Sequence, residues 1–222
     1  MNGEAEQGLR RGLEQIDFVC GEQAYHGLLR YMELLAKWNR AYNLTSVREP
    51  IEIVRRHILD CLVILPYVHG RQLLDIGTGA GLPGMILAIA RPDLKCMLLD
   101  GNGKKTRFCI QAVTELALSN VEVMRARVEE YVPRRLFDTV TARAFAGLSV
   151  LWDYAEPLVA PGGRLLAMKG TKKEAIQEVE GVDIRRGKSR IVALTVPGLA
   201  SERHLVVVER VSAPSSNSPF FL

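Results

Sequence analysis

Apolar residues recur at helical spacing through residues 4–20 and again through 23–43, where Leu28, Leu29, Met32, Leu35 and Trp38 mark one face. Asn43 suits a helix stop, because asparagine tolerates left-handed backbone. Pro50 opens a third helix through about Leu65, with Ile51, Val54, Ile58, Leu62 and Leu65 as its apolar stripe. From position 71 the period changes. Apolar runs at 71–76, 95–100, 121–126, 137–142 and 164–169 read as strands, and helical patterns near 83–91, 104–118 and 148–158 separate them. Such alternation predicts a parallel sheet with helices on both faces. Residues 190–196 and 204–210 are two further strands joined through Pro197-Gly198 with no helix between, which predicts a terminal antiparallel hairpin. The expected division is a helical subdomain over 1–70, a Rossmann-like domain over 71–211 and a loose Ser/Pro-rich tail over 212–222.

Composition narrows the class. The chain has 222 residues, 48% of them hydrophobic, enough for one good core. Residues 1–70 hold eight Lys/Arg against nine Asp/Glu, and the remainder 21 against 16, so positive charge collects on the sheet-forming segment and permits an anionic macromolecular partner. Cys20, Cys61, Cys96 and Cys109 show no C-x-x-C spacing and read as buried free thiols. The four histidines are scattered, so no metal site is expected. Neither a signal-peptide pattern nor an apolar run of membrane-spanning length is visible, and a cytoplasmic protein is expected.

The densest information lies in Leu73-Leu74-Asp75-Ile76-Gly77-Thr78-Gly79-Ala80-Gly81-Leu82-Pro83-Gly84, a strand that stops at an acid, crosses a glycine-rich turn and enters a helix. Glycines let backbone N–H groups approach a ligand closely. The segment also satisfies G-x-G-x-x-G, so NAD and S-adenosylmethionine compete for it. Ligands of open α/β sheets bind outside the C-terminal strand ends. Those ends here carry Asp75–Gly77, Asp100, Arg127-Val128-Glu129, Arg143 and Lys169-Gly170. Asp100 is placed to accept both ribose hydroxyls or to cap the next helix, Asp75 to order the loop or meet the ligand, and Val128-Glu129 to flank an adenine. The layout separates the cofactors. Seven strands preceded by helices and closed by an antiparallel hairpin, with no substrate domain to follow, are the layout of a class I S-adenosylmethionine-dependent methyltransferase.

Several blocks in order make the resemblance specific: Trp38-Asn39 with Asn43-Leu44-Thr45; His57 with Asp60; the Asp75–Gly84 loop; Lys104-Lys105 before Phe108; Arg127-Val128-Glu129; Thr141-Ala142-Arg143-Ala144; and Gly162-Gly163 followed by Lys169-Gly170. From about Trp38 to Glu209 the chain resembles the RsmG family (GidB, glucose-inhibited division protein B) of bacterial 16S rRNA guanine-N7 methyltransferases. Cys61 stands where that family usually has serine. The resemblance implies S-adenosylmethionine contacts at Gly77, Leu82, Val128, Glu129 and Arg143, to which the loop positions Gly79, Gly81, Asp75 and Asp100 are added from their placement. It implies methylation of guanine N7 at position 527 of 16S rRNA, with the small ribosomal subunit as partner and a monomeric enzyme. A small-molecule methyltransferase and a non-catalytic RNA-binding protein of the same fold are the alternatives.

The residues agree with that chemistry in what they lack. Guanine N7 has a free lone pair, so no general base is required, and alignment and desolvation suffice. An amino-group methyltransferase would show an Asn/Asp-Pro-Pro-Tyr/Phe box where this chain reads Ala142-Arg143-Ala144-Phe145. No cysteine sits at a strand end as a carbon-methylating nucleophile requires. RNA contact is expected from Lys104, Lys105, Arg107, Arg125, Arg127, Arg143, Lys169, Lys172 and Lys173, with Arg185, Arg186, Lys188 and Arg190 as a second cluster. Phe145 reads equally as a base-stacking ring or a core residue, and His57 with Asp60 as cleft lining or as a pair fixing a helix to the sheet.

Overall fold

The computed structural model describes residues 3–145, 147–179 and 187–211. Helices α1 (Gly3–Gln15) and α2 (Glu22–Tyr42) lead, and α2 ends as its sequence predicts, with Asn43 left-handed at φ 50° and its N–H on the Asn39 carbonyl. The helix opened by Pro50 is not uniform. Short α turns α3 (Pro50–Ile53) and α4 (Asp60–Leu62) flank a π-helical stretch, Val54–Leu59, a widening that hydrophobic periodicity does not reveal.

The alternating part supplies β1 (Gln72–Ile76), α5 (Gly84–Ala90), β2 (Lys95–Leu99), α6 (Gly103–Glu115), β3 (Val121–Met124), β4 (Phe137–Arg143), α7 (Leu148–Ala155), β5 (Val159–Lys169), α8 (Lys172–Val179), β6 (Gly187–Leu194) and β7 (Arg203–Arg210). Helix α8 was not expected, and β5 starts earlier than its apolar run, at Val159. The order is β3-β2-β1-β4-β5-β7-β6, with β7 antiparallel to both its neighbours and the other pairings parallel. The seven-stranded sheet with its reversed last strand is therefore as the sequence predicts.

Alternation along the strands builds two layers of core. Leu73, Cys96 and Leu98 face one side, Leu74, Ile76, Met97 and Leu99 the other. The first side is covered by α5 and α6 together with Leu28, Tyr31, Leu35, Ile53 and Ile58 of the N-terminal helices, and the second by α7 through Leu148, Leu151 and Trp152. The order reverses direction between β1 and β4, whose ends meet in register at Ile76 and Ala142. That switch point is where an open α/β sheet leaves a crevice. Among the described residues no helix is long and apolar enough to cross a membrane.

Candidate functional site

The glycine loop at the end of β1 is held by groups from three elements. Asp75 is fully buried, and its Oδ2 accepts from the Thr78 hydroxyl and from the Gly84 N–H at 2.9 Å, while Oδ1 accepts from the Thr141 hydroxyl at 2.9 Å. Burial raises its carboxyl to about 6 despite those donors. Of the two roles open to Asp75, the geometry is that of a loop brace, and its side chain does not line the cavity described below. Gly77, Gly79 and Gly81 all adopt positive φ, between 62° and 86°. At Gly84 the helix runs so close to β1 that a Cβ would lie 2.8 Å from that of Asp75. The loop's outer peptides are fastened too. The Gly79 N–H reaches Asp100 Oδ2 at 2.9 Å, and the Tyr31 hydroxyl of α2 donates to the Ala80 carbonyl at 2.7 Å. Tyr31 lies on the predicted apolar face of α2, but nothing in its spacing marks it as a partner of this loop.

Beside the loop opens a cavity of about 490 Å³. Ile76 and Gly77 end β1, Leu99 to Asn102 continue β2, Ala126 to Glu129 follow β3, and Phe145 closes the β4 side. Of the nine expected cofactor residues, Gly77, Asp100, Val128 and Glu129 line it. Gly79 and Gly81 do not line it, and a Cβ at Gly81 would lie 2.9 Å from that of Met85. The Leu82 side chain is 3% exposed in the core, so it presents nothing to this cavity. Asp100 does not cap the next helix: its Oδ1 accepts from the Asn102 N–H at 2.8 Å, and the cap is Asn102, whose side chain accepts from the Lys104 N–H. The cavity suits S-adenosylmethionine. It offers a carboxylate for ribose hydroxyls, apolar Ile76, Leu99 and Val128 for an adenine, and an absent Cβ at Gly77, where one would approach the Phe145 ring to 3.5 Å.

Arg143, expected as a cofactor contact, is not among the residues that line this cavity. It lines a second cavity, of about 420 Å³, which shares Phe145 with the first. The walls come from the π stretch (Arg56, His57), α4 (Asp60), the end of β5 (Met168 to Gly170), α8 (Glu174) and the start of β7 (Arg203). Asp60, 3% exposed, sits 2.9 Å from Arg203 Nε through Oδ1 and 3.6 Å from Arg143 Nη1 through Oδ2. Burial raises its carboxyl above the usual range, and the two guanidiniums pull it back. Arg143 Nη1 also donates to the Arg56 carbonyl at 3.3 Å.

His57 has no freedom to act as a base. Its Nδ1 lies 2.8 Å from the Arg56 carbonyl, which only accepts, so Nδ1 carries the proton and Nε2 accepts from the Thr45 hydroxyl at 2.8 Å. Burial, then the Arg143 charge, lowers its pKa to about 4. Asn39 fixes the loop that brings Thr45 there, donating to the Val47 carbonyl and accepting from the Thr45 N–H, both at 2.9 Å. The motif residues Asn39, Thr45, His57 and Asp60 thus form one connected support.

The basic side chains divide. Lys104, Arg107, Arg125, Arg127, Lys172 and Lys173 are exposed, with Arg127 at the first cavity, and Lys105 lies 3.8 Å from Asp100. Lys169 is a correction: 8% exposed, it is paired with Glu178 and is no surface charge for RNA. Lys188 and Arg190 are exposed on β6, whereas Arg185 and Arg186 lie outside the described residues, as does the tail over 212–222. Burial pushes the thiols of Cys61, Cys96 and Cys109 well up, away from any nucleophilic role. Among the described residues no group of three or more potential metal ligands occurs.

Known proteins share this fold and, at higher identity, this sequence. Solved structures of similar shape include the tRNA methyltransferase TrmI from Aquifex aeolicus (TM-score 0.57, 14% identity, 70% of this chain and 69% of that one). An rRNA methylase from Streptococcus thermophilus also matches (TM-score 0.51, 17% identity, 76% and 100%). At these identities they show a shared fold, that of the class I methyltransferases. Sequence relatives are far nearer. The protein named Ribosomal RNA small subunit methyltransferase G from Alkalilimnicola ehrlichii is 46% identical over 213 residues, covering 95% of this chain and 96% of its own. Its namesake from Methylococcus capsulatus is 48% identical over 198 residues, covering 89% and 95%. The profile of the GidB family, described as rRNA small subunit methyltransferase G, matches residues 24–206. The chain belongs to the GidB family of S-adenosylmethionine-dependent rRNA methyltransferases.

Proposed function

We propose that this protein methylates N7 of the guanine at position 527 of 16S rRNA, acting as a monomer in the cytoplasm. Family membership supports the rRNA substrate. The observation that carries the choice of atom is the state of the titratable groups at the junction of the two cavities. His57 is neutral with both ring nitrogens engaged, Asp60 is held between two arginines, and Asp75 is buried behind the loop. None is poised to remove a proton, and N7 needs none removed. The N7–methyl bond forms as the sulfur–methyl bond breaks, and the positive charge passes from sulfur to the base.

S-adenosylmethionine, when bound, supplies the electrophilic methyl. Gly77, Asp100, Val128 and Glu129 would hold it in the first cavity. Phe145 lines both that cavity and the second. Exposed Lys104, Arg107, Arg125, Arg127, Lys172 and Lys173 would engage the phosphate backbone. The test is to map N7-methylguanine in 16S rRNA from cells with and without the gene, and to assay transfer to purified small subunits against free metabolites. Loss of one methylated guanine in the deletion strain is the expected result. Transfer to metabolites alone would overturn the reading.

A further inference from the structure

We propose that Glu178 is a positioning residue for methyl transfer: from α8 it holds the first peptide of α7, and through that peptide it sets Phe145 against the cofactor site. The inference rests on the methyltransferase reading above and adds a residue to it. One oxygen carries the arrangement. Glu178 Oε2 accepts from the Leu148 N–H at 2.9 Å and pairs with the buried Lys169 ammonium. Leu148 opens α7, where a helix leaves donors without intrahelical partners. No local cap is present, because the capping position is Gly147, which has no side chain. The acceptor arrives instead from another helix, 30 residues further along the chain. A carboxylate is favoured there by the positive end of the α7 dipole.

What this bond holds is the turn out of β4. Arg143 ends the strand, Ala144 takes a left-handed φ of 53°, and Phe145 then lines both cavities. The Phe145 ring lies 3.5 Å from where a Cβ on Gly77 would stand. A non-glycine residue in left-handed backbone persists only where its surroundings impose it. Leu148 follows Phe145 by three positions, so releasing its N–H frees the turn to relax and the ring to leave Gly77. Helix α8 is a fixed origin for the restraint, with Ala175 buried and the Lys172 N–H donated to Glu202 at 3.0 Å. Gly77, Asp100, Val128 and Glu129 follow other strands, β1 to β3, so the cofactor's main contacts do not depend on this turn. Misplacing Phe145 therefore falls on alignment and hence on kcat.

Methyl transfer to purified small ribosomal subunits is measured for wild type, Glu178→Ala, Glu178→Gln, Phe145→Ala and the double variant Glu178→Ala with Phe145→Ala. Calorimetric binding of S-adenosylhomocysteine counts the folded sites in each. Glu178→Ala should lower kcat about tenfold, the scale of one buried donor left without its acceptor, at full binding stoichiometry and with little change in Kd. Glu178→Gln keeps an oxygen for the Leu148 N–H and should recover most of the loss. The double variant should be no slower than Phe145→Ala alone, since Glu178 acts through that ring. If Glu178→Ala binds below full stoichiometry, Glu178→Asp takes its place, because it keeps the charge and withdraws the oxygen by one methylene. An unchanged kcat, penalties that multiply in the double variant, or a Glu178→Gln loss as large as that of Glu178→Ala would overturn the role of Glu178 and leave the rRNA reading intact. No transfer by wild type would overturn both.

Discussion

Asp60 and Arg143 meet at 3.6 Å, the first on α4 in the N-terminal helical run and the second at the end of β4. Arg203, opening β7, completes the cluster at 2.9 Å from the same carboxylate. Three distant segments are therefore clamped around one cavity wall. Removing one member of a buried pair leaves an uncompensated charge, which is more damaging than the net worth of the pair. The neighbouring His57 is kept neutral partly by the same Arg143 charge, so cluster and histidine titrate as a linked unit.

That linkage gives a pH prediction. His57 has a folded pKa of about 4 against an unfolded value near 6.5. Between those values the unfolded chain binds the extra proton, so this residue's contribution is complete above about pH 6.5 and declines as pH falls toward 4. Asp75, raised to about 6, acts oppositely from about pH 4 to 6, so wild type must be compared with a variant. The stability advantage of wild type over His57→Asn should shrink by roughly 2 kcal/mol between pH 7.5 and pH 5. Urea denaturation at the two pH values measures it. An advantage that does not change with pH would show that His57 charges freely in the fold.

Asp100 holds the glycine loop through the Gly79 N–H and also lines the cofactor cavity. Asp100→Ala should weaken S-adenosylmethionine and S-adenosylhomocysteine alike by about 1–3 kcal/mol, the range for a charge-assisted contact. Calorimetry with both ligands checks this, and NAD should give no heat with wild type. Affinity equal to wild type would remove Asp100 from the site.

The N-terminal helices reach the same loop through Tyr31. Tyr31→Phe deletes the donor to the Ala80 carbonyl and leaves that acceptor buried, at a cost of about 1–2 kcal/mol. The Kd for S-adenosylmethionine should rise several-fold while kcat at saturation holds. Tyr25→Phe is the matched control. It removes a hydroxyl of the same helix that donates to the Glu6 carbonyl, at 3.4 Å, and should leave cofactor affinity alone. Equal effects from the two variants would mean that Tyr31 acts only through general stability.

What could be read along the chain follows physical rules of different reach. The strand–glycine loop–helix unit, the Asn43 stop and the Pro50 start were legible because each is local chemistry. The reversed last strand was legible from a hairpin with no room for a crossover. Helix α8 was not, since Lys172–Val179 is two turns, half of them charged residues, with one buried side chain, Ala175. The π stretch was hidden because it shifts register without altering composition. At the site, burial decided what sequence could not: Asp75 and Leu82 look ligand-facing in a motif but are enclosed by α5 and the core, and Arg143 is drawn to the second cavity by Asp60.

The lysines after β5 give the sharpest separation between sequence and surface. Lys169, Lys172 and Lys173 read alike as a basic run, yet Lys169 is buried against Glu178 while the other two are exposed on α8. A phosphate contact releases counterions, and each such contact contributes about 0.7–0.9 to the slope of log K against log salt. Lys172→Ala combined with Lys173→Ala should therefore reduce the salt slope of rRNA binding by up to about two and leave the melting temperature nearly unchanged. Lys169→Ala should do the reverse. It strands the Glu178 carboxylate, which also holds the Leu148 N–H at 2.9 Å, so the fold should lose stability while the slope stays as in wild type. Binding titrations from low to moderate salt, alongside thermal melts, give both readouts. A reduced slope in Lys169→Ala with unchanged melting would place that lysine on the RNA and break its assignment to the interior pair.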